Sequence, residues 1–151
     1  MNFGESDLDL LATKEEIRVE TRSKAGEIHK TVVWPLVRDG TVYLRSYKGP
    51  SGRWYREAVA DPDIALLFDR RRVPARAVPA TDAASVEACS AALRDKYRRS
   101  YSLQAMLAPS VLPTTLRIEA VPAEAVPAGE VPAEAMPAEA LPAEAGGEAA
   151  R

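Results

Sequence analysis

The segment Arg45-Ser46-Tyr47-Lys48-Gly49-Pro50-Ser51-Gly52-Arg53-Trp54-Tyr55-Arg56 holds the densest set of residues in this chain that could do chemistry. Glycine lets a loop turn so that successive backbone N–H groups converge on one anion. A helix opening behind such a loop adds the positive end of its dipole, and Arg45, Lys48 and Arg53 add formal charge. Ser46 and Gly49 supply a hydroxyl and a freely turning backbone, and Trp54 and Tyr55 offer planar rings beside the anion. The ingredients are those of a pocket for a phosphorylated aromatic cofactor. They also suit an exposed basic loop whose Trp anchors a short helix in the core. Residue types alone leave both readings open.

Other chemistry finds less support. Nucleophilic catalysis needs a nucleophile in contact with a base, and the single Cys and single His, Cys89 and His29, are the one such pairing on offer. Cys89 falls on the apolar stripe of a helix, which reads as packing rather than reactivity. One Cys excludes an internal disulfide framework, one His excludes a paired-His zinc motif, and no metal site is expected. No GxSxG elbow, Walker sequence or GxGxxG is present. Arg70-Arg71-Arg72 could grip a phosphate or an acidic lipid, but a charged connection between strands is more often simply solvated.

The elements that must position the basic loop can be read from periodicity. Ile17, Val19 and Thr21 alternate with charges as in a strand, and Lys24 to Glu27 is a turn. Ile28 to Arg38 is rich in β-branched and aromatic residues and ends at Asp39-Gly40, a strong hairpin signal. The return strand, Thr41 to Tyr47, places Val42, Leu44 and Ser46 on one face and Tyr43, Arg45 and Tyr47 on the other. A helix of about two turns is predicted from Trp54 to Ala60, stopping at Asp61-Pro62. Strands follow at Ile64 to Phe68 and Val73 to Val78. Thr81-Asp82 caps a helix running to about Arg99, with Val86, Cys89, Leu93 and Tyr97 on one stripe. Thr114 to Glu119 is the last strand. About six strands in adjacent hairpins, one short and one long helix, and no βαβ alternation predict a mainly β, α+β domain built as a small barrel.

At Ala120 the chain changes character. VPAEA, VPAGE, VPAEA, MPAEA and LPAEA succeed one another from Val121 to Ala145, and a Pro in every repeat forbids a helix. From Ala120 onward there are six Glu and one Arg, against 19 Lys and Arg and 16 Asp and Glu before it. The division expected is a domain over residues 1–119 and a solvated, disordered repeat tail over 120–151. A body this mildly basic, with no RNA-binding motif, is not expected to bind nucleic acid. With no apolar run of 18 residues and an acidic amino-terminus, the chain is expected to be cytoplasmic, with no membrane partner.

The body resembles the prokaryotic family catalogued as domain of unknown function 2255. The resemblance is carried by Val33-Trp34 and Asp39-Gly40, by Tyr43-Leu44-Arg45-Ser46-Tyr47-Lys48-Gly49 and by Gly52-Arg53-Trp54-Tyr55-Arg56. Asp95-Lys96-Tyr97 and Thr114-Thr115-Leu116-Arg117 extend it, so that it covers about residues 3 to 119. The order of Ser46-Tyr47-Lys48-Gly49, Trp54-Tyr55, Asp61-Pro62 and Pro74-Ala75-Arg76-Ala77 is also similar, more distantly, to deazaflavin-dependent nitroreductases. That likeness implies a split β-barrel of the kind that binds flavin mononucleotide (FMN). It also implies FMN or a deazaflavin as cofactor, held by Ser46, Lys48 and Gly49 with Trp54 and Tyr55 bordering the groove, and Lys30 as a loosely aligned basic strand position. A homodimer and a reductase of small organic molecules are implied in turn. In such enzymes the cofactor carries the hydride chemistry, so no catalytic side chain need show in the sequence. The alternatives are a non-catalytic module for a phosphorylated ligand and a dimerisation domain.

Overall fold

A computed structural model describes residues 3–121. Its elements are α1 (Glu5–Thr13), β1 (Ile17–Arg22), β2 (Ile28–Val33), β3 (Leu36–Arg38), β4 (Thr41–Leu44), α2 (Arg53–Ala60), β5 (Asp63–Phe68), β6 (Arg71–Pro79), α3 (Ala83–Lys96), α4 (Leu103–Met106) and β7 (Leu116–Ala120). The strands form one antiparallel sheet in the order β2-β1-β5-β6-β7-β4-β3.

That order forces the sheet to curl. β2 and β3 are its two edges, yet only Trp34 and Pro35 separate them. Seven flat strands at about 4.8 Å spacing would hold the edges about 29 Å apart, whereas so short a link reaches about 11 Å. The sheet therefore bends until its edges meet, giving the split half-barrel. The single strand expected over Ile28–Arg38 is thus two strands. Pro35 has no N–H to give a ladder, and the chain crosses from one edge to the other there.

Alternation sorts side chains to the two faces of this sheet. Val19, Val33, Leu44, Leu66, Ala77 and Ile118 point inward, and Phe3, Leu11, Trp54 and Ala58 close that core from α1 and α2. Outside, α3 lays Cys89, Ala92, Leu93 and Tyr97 on Val32, Trp34, Leu36 and Tyr43, with Leu103 and Met106 of α4 beside them. Asp82 caps α3 by accepting from the Ser85 N–H at 3.0 Å. The helix ends at Lys96, three residues earlier than the sequence suggests, because Tyr97 turns in to stack on Trp34. β7 starts at Leu116, since Thr114 and Thr115 bond back to the carbonyls of Val111 and Leu112 in a tight turn. The repeat from Pro122 to the end lies outside the described residues.

Candidate functional site

The basic segment folds as a corner between β4 and α2. Asp39 and Gly40, both at positive φ (51° and 77°), make the hairpin that sends β4 back toward it. Arg45 then leaves the sheet and is enclosed, 1% exposed. Its Nε donates to Thr115 Oγ1 at 3.0 Å, its Nη1 to Ser90 Oγ at 3.0 Å and to the Met106 carbonyl at 3.1 Å, and its Nη2 to the Val86 carbonyl at 3.0 Å. All four acceptors are neutral, and burial pulls the guanidinium pKa below its ordinary value. Arg45 ties α3, α4 and the approach to β7 to the root of the corner.

Ser46 is also buried. Its N–H donates to Thr114 Oγ1 at 3.0 Å and its hydroxyl to the Gly49 carbonyl at 2.8 Å. Gly49 sits at φ +70°, a conformation that favours glycine, and a Cβ there would press on the Ser110 carbonyl oxygen at 3.3 Å. Gly52 is tighter still, with a Cβ position 2.5 Å from Ser46 Oγ. These four residues build the corner from within.

Lys48 and Arg53 face out of it, both exposed. Gly52 is the N-cap residue of α2 and brings no side chain, so the first-turn N–H groups of that helix have neither cap nor intrahelical acceptor. Lys48 stands beside them, its Cβ 3.6 Å from where a Gly52 Cβ would lie. Arg53 Nη2 donates to Thr31 Oγ1 at 3.1 Å, which leans the guanidinium against β2. Tyr55 is half-buried and meets Trp54 edge to face, ring centroids 6.4 Å apart. Trp54 itself is a core residue, 6% exposed. Lys30 neighbours Thr31 on β2, so alternation turns it to the other face of the sheet, opposite Glu20. The structure thus gathers Lys48, Arg53 and Tyr55 at the surface of the corner, sets Arg45, Ser46, Gly49 and Trp54 behind it, and leaves Lys30 apart.

A polar seam continues from Arg53 along α2. One turn on, Glu57 accepts from Thr21 Oγ1 at 2.7 Å and pairs with His29 Nδ1 at 2.9 Å. Residue types alone do not single out this seam, although Arg53 and Glu57 are spaced to share a helix face, and Thr21, His29 and Thr31 fall on inward strand positions. His29 and Cys89 are on opposite faces of the sheet, and burial pushes the Cys89 thiol up to about 11. Cys89 is a packing residue. No group of three or more His, Cys, Asp or Glu among the described residues could hold a metal ion. No helix among them is long and apolar enough to cross a membrane.

Residues 7–118 match the pattern of a family described as "Uncharacterized protein conserved in bacteria (DUF2255)". The chain belongs to the DUF2255 family. Comparison with curated proteins finds no match. Among solved structures, this DUF2255 chain is similar to the conserved hypothetical protein Rv2991 from Mycobacterium tuberculosis. The two are 16% identical, with a TM-score of 0.61 over 85% of this chain and 92% of that one. The heme storage protein HutZ from Vibrio cholerae is 9% identical, with a TM-score of 0.56 over 81% of this chain and 92% of its own. ChuZ from Campylobacter jejuni is 9% identical at a TM-score of 0.61, and there the match takes 80% of this chain but only 55% of that one. At such identities the likeness is one of fold, and the DUF2255 domain shares the half-barrel of these proteins.

Proposed function

We propose that this DUF2255 domain binds a phosphorylated planar cofactor of the FMN or deazaflavin class at the β4–α2 corner and uses it to reduce a small organic molecule. The observation that supports this most directly is an uncapped helix N-terminus flanked by two exposed cations, Lys48 and Arg53. Uncapped backbone N–H groups at the start of a helix, with its dipole behind them, favour a dianionic phosphate, and charge-assisted bonds from Lys48 and Arg53 would complete its shell. Tyr55 is the ring available to a planar group alongside. Arg45, Ser46 and Gly49 hold the corner rather than the ligand, and Lys30 stands on the far side of the sheet. When bound, such a cofactor supplies hydride transfer, while the chain supplies binding and orientation.

The burial of Trp54 favours a second reading, a module that holds a phosphorylated ligand without turnover, because that ring is not free to lie on a cofactor. The full-length chain titrated with FMN and with a deazaflavin decides the matter. Binding in the micromolar range is expected, and Lys48→Ala and Arg53→Ala should each weaken it by about 1.5–3 kcal/mol, about 10- to 150-fold. Failure of both cofactors to bind at tens of micromolar removes the cofactor proposal, and a bound flavin that no nicotinamide donor reduces leaves the second reading. A homodimer belongs to the first reading and is read by sedimentation of the same sample.

A further inference from the structure

His29 is the one histidine in the chain, and a buried carboxylate holds its ring. The Glu57 side chain, 12% exposed, meets His29 Nδ1 at 2.9 Å through Oε2 and accepts from the Thr21 hydroxyl at 2.7 Å through Oε1. Thr21 stands opposite His29 in the β1–β2 pairing, so β1, β2 and α2 together fix one imidazole. An ionised carboxylate only accepts. Nδ1 therefore keeps its proton in both charge states of the ring, and the proton that comes and goes is the one on Nε2.

Nε2 lies on the other side of the ring. Glu27, exposed on the turn before β2, comes within 3.7 Å of it, too far for a hydrogen bond. Thr31 follows on the same face of β2, about 7 Å along the strand, and its hydroxyl accepts from Arg53 Nη2 at 3.1 Å. The charged groups of this seam are Glu57 and Arg53 on α2 and Glu27 on the turn. Arg22, beside Thr21, pairs instead with Asp61 at 4.0 Å. Arg53 and Glu57 are one helical turn apart, about 6 Å. The seam thus runs from a partly exposed, proton-exchanging nitrogen to a cation at the start of α2. Well-packed apolar side chains would close this part of the barrel as well as a buried ion pair does.

We propose that His29 is the proton donor for the reaction at the α2 corner, with Glu57 and Thr21 as its positioning residues. The proposal rests on the reading of that corner as a cofactor site, and it assigns an acceptor whose oxygen takes up a proton on reduction, such as a conjugated carbonyl compound. A hydride from the reduced flavin or deazaflavin bonds to the acceptor, and the displaced π pair gathers on the carbonyl oxygen. That oxygen takes the Nε2 proton, so acceptor, hydride and proton give a neutral product reduced by two electrons. The imidazolium becomes imidazole and recovers its proton from water. Throughout, Glu57 keeps Nδ1–H bonded and the ring in place.

The first readout needs neither turnover nor a variant. With labelled histidine, the full-length chain gives a single imidazole in its NMR spectrum, and its signals should shift on saturation with FMN. The second compares two acceptors offered to the dithionite-reduced FMN complex. Menadione needs a proton on oxygen, whereas ferricyanide takes electrons alone. His29→Gln should slow reoxidation by menadione about 100-fold and leave reoxidation by ferricyanide unchanged. Glu57→Gln should show the same split to a smaller degree. Imidazole signals that stay put in an FMN complex overturn the proposal, as does an unchanged menadione rate or an equal loss with both acceptors. Failure of FMN and of a deazaflavin to bind at all is a different result, which removes the reading of the corner and this proposal with it.

Discussion

Arg45→Met separates a structural arginine from a ligand-binding one. The methionine has similar length and no charge, so the change removes the four donated bonds without opening a large void. The consequences differ among the acceptors. Val86 lies inside α3 and its carbonyl keeps its helical partner, and the Thr115 and Ser90 hydroxyls can turn. The Met106 carbonyl, at the end of the short α4, is left buried without a donor, at a cost of about 1–3 kcal/mol. Losing the bonds to a charged donor costs more, at about 1.5–3 kcal/mol each. Much of that is offset, because the folded chain no longer keeps a cation out of water, a penalty of several kcal/mol. The net expectation is a loss of about 3 kcal/mol, or about 10–15 °C in Tm for a domain of this size. Urea unfolding of the full-length chain, followed by tryptophan fluorescence, reads it. A loss below about 1 kcal/mol refutes this reasoning. An unchanged midpoint with weakened FMN affinity refutes it more sharply, since Arg45 would then have to reach a ligand.

Gly52→Ala should destabilise by about 1–2 kcal/mol, because its Cβ would stand 2.5 Å from Ser46 Oγ. Ser46→Ala in the same chain should recover part of that loss in a double-mutant cycle, and strict additivity would show that the clash is not the cause. Lys96 links stability to pH. Its amine ionises lower in the folded chain, at about 8, than when unfolded, so the stability it confers is present above about pH 10.5 and is lost as pH falls through 8. Discounted for partial exposure, wild type should gain about 1–2 kcal/mol between pH 7 and pH 10 relative to Lys96→Met. Cys89 ionises higher in the folded chain and erodes stability above about pH 9 in both proteins, so it cancels from the comparison.

Much of the local structure was legible because it rests on interactions between near neighbours. Asp39-Gly40 turns a hairpin because those two residues accept positive φ. Asp82 opens α3 through a bond three residues away, and Asp61-Pro62 stops α2. The strand alternation of Val42, Leu44 and Tyr43 survives intact between the two faces of the sheet. α1 leaves little trace in the sequence because its apolar pattern is thin, with Leu11 its one buried residue.

What a residue type does once the chain closes on itself is another matter. The sequence by itself determined that a basic, glycine-rich bend must join a strand to a short helix, and that the domain is mainly β with one long capped helix. It also determined the family, through motifs spread along the whole body. Only the tertiary structure decided which of the bend's residues face water. Residue type does not tell Arg45 from Arg53, or say which of the Trp54 and Tyr55 rings is enclosed, yet Arg45 and Trp54 are buried while Arg53 is exposed and Tyr55 half-buried. The curl of the sheet is what sorts them. It brings α3, α4 and β7, distant in sequence, over the root of β4, and the acceptors they carry claim one arginine and leave the other to solvent.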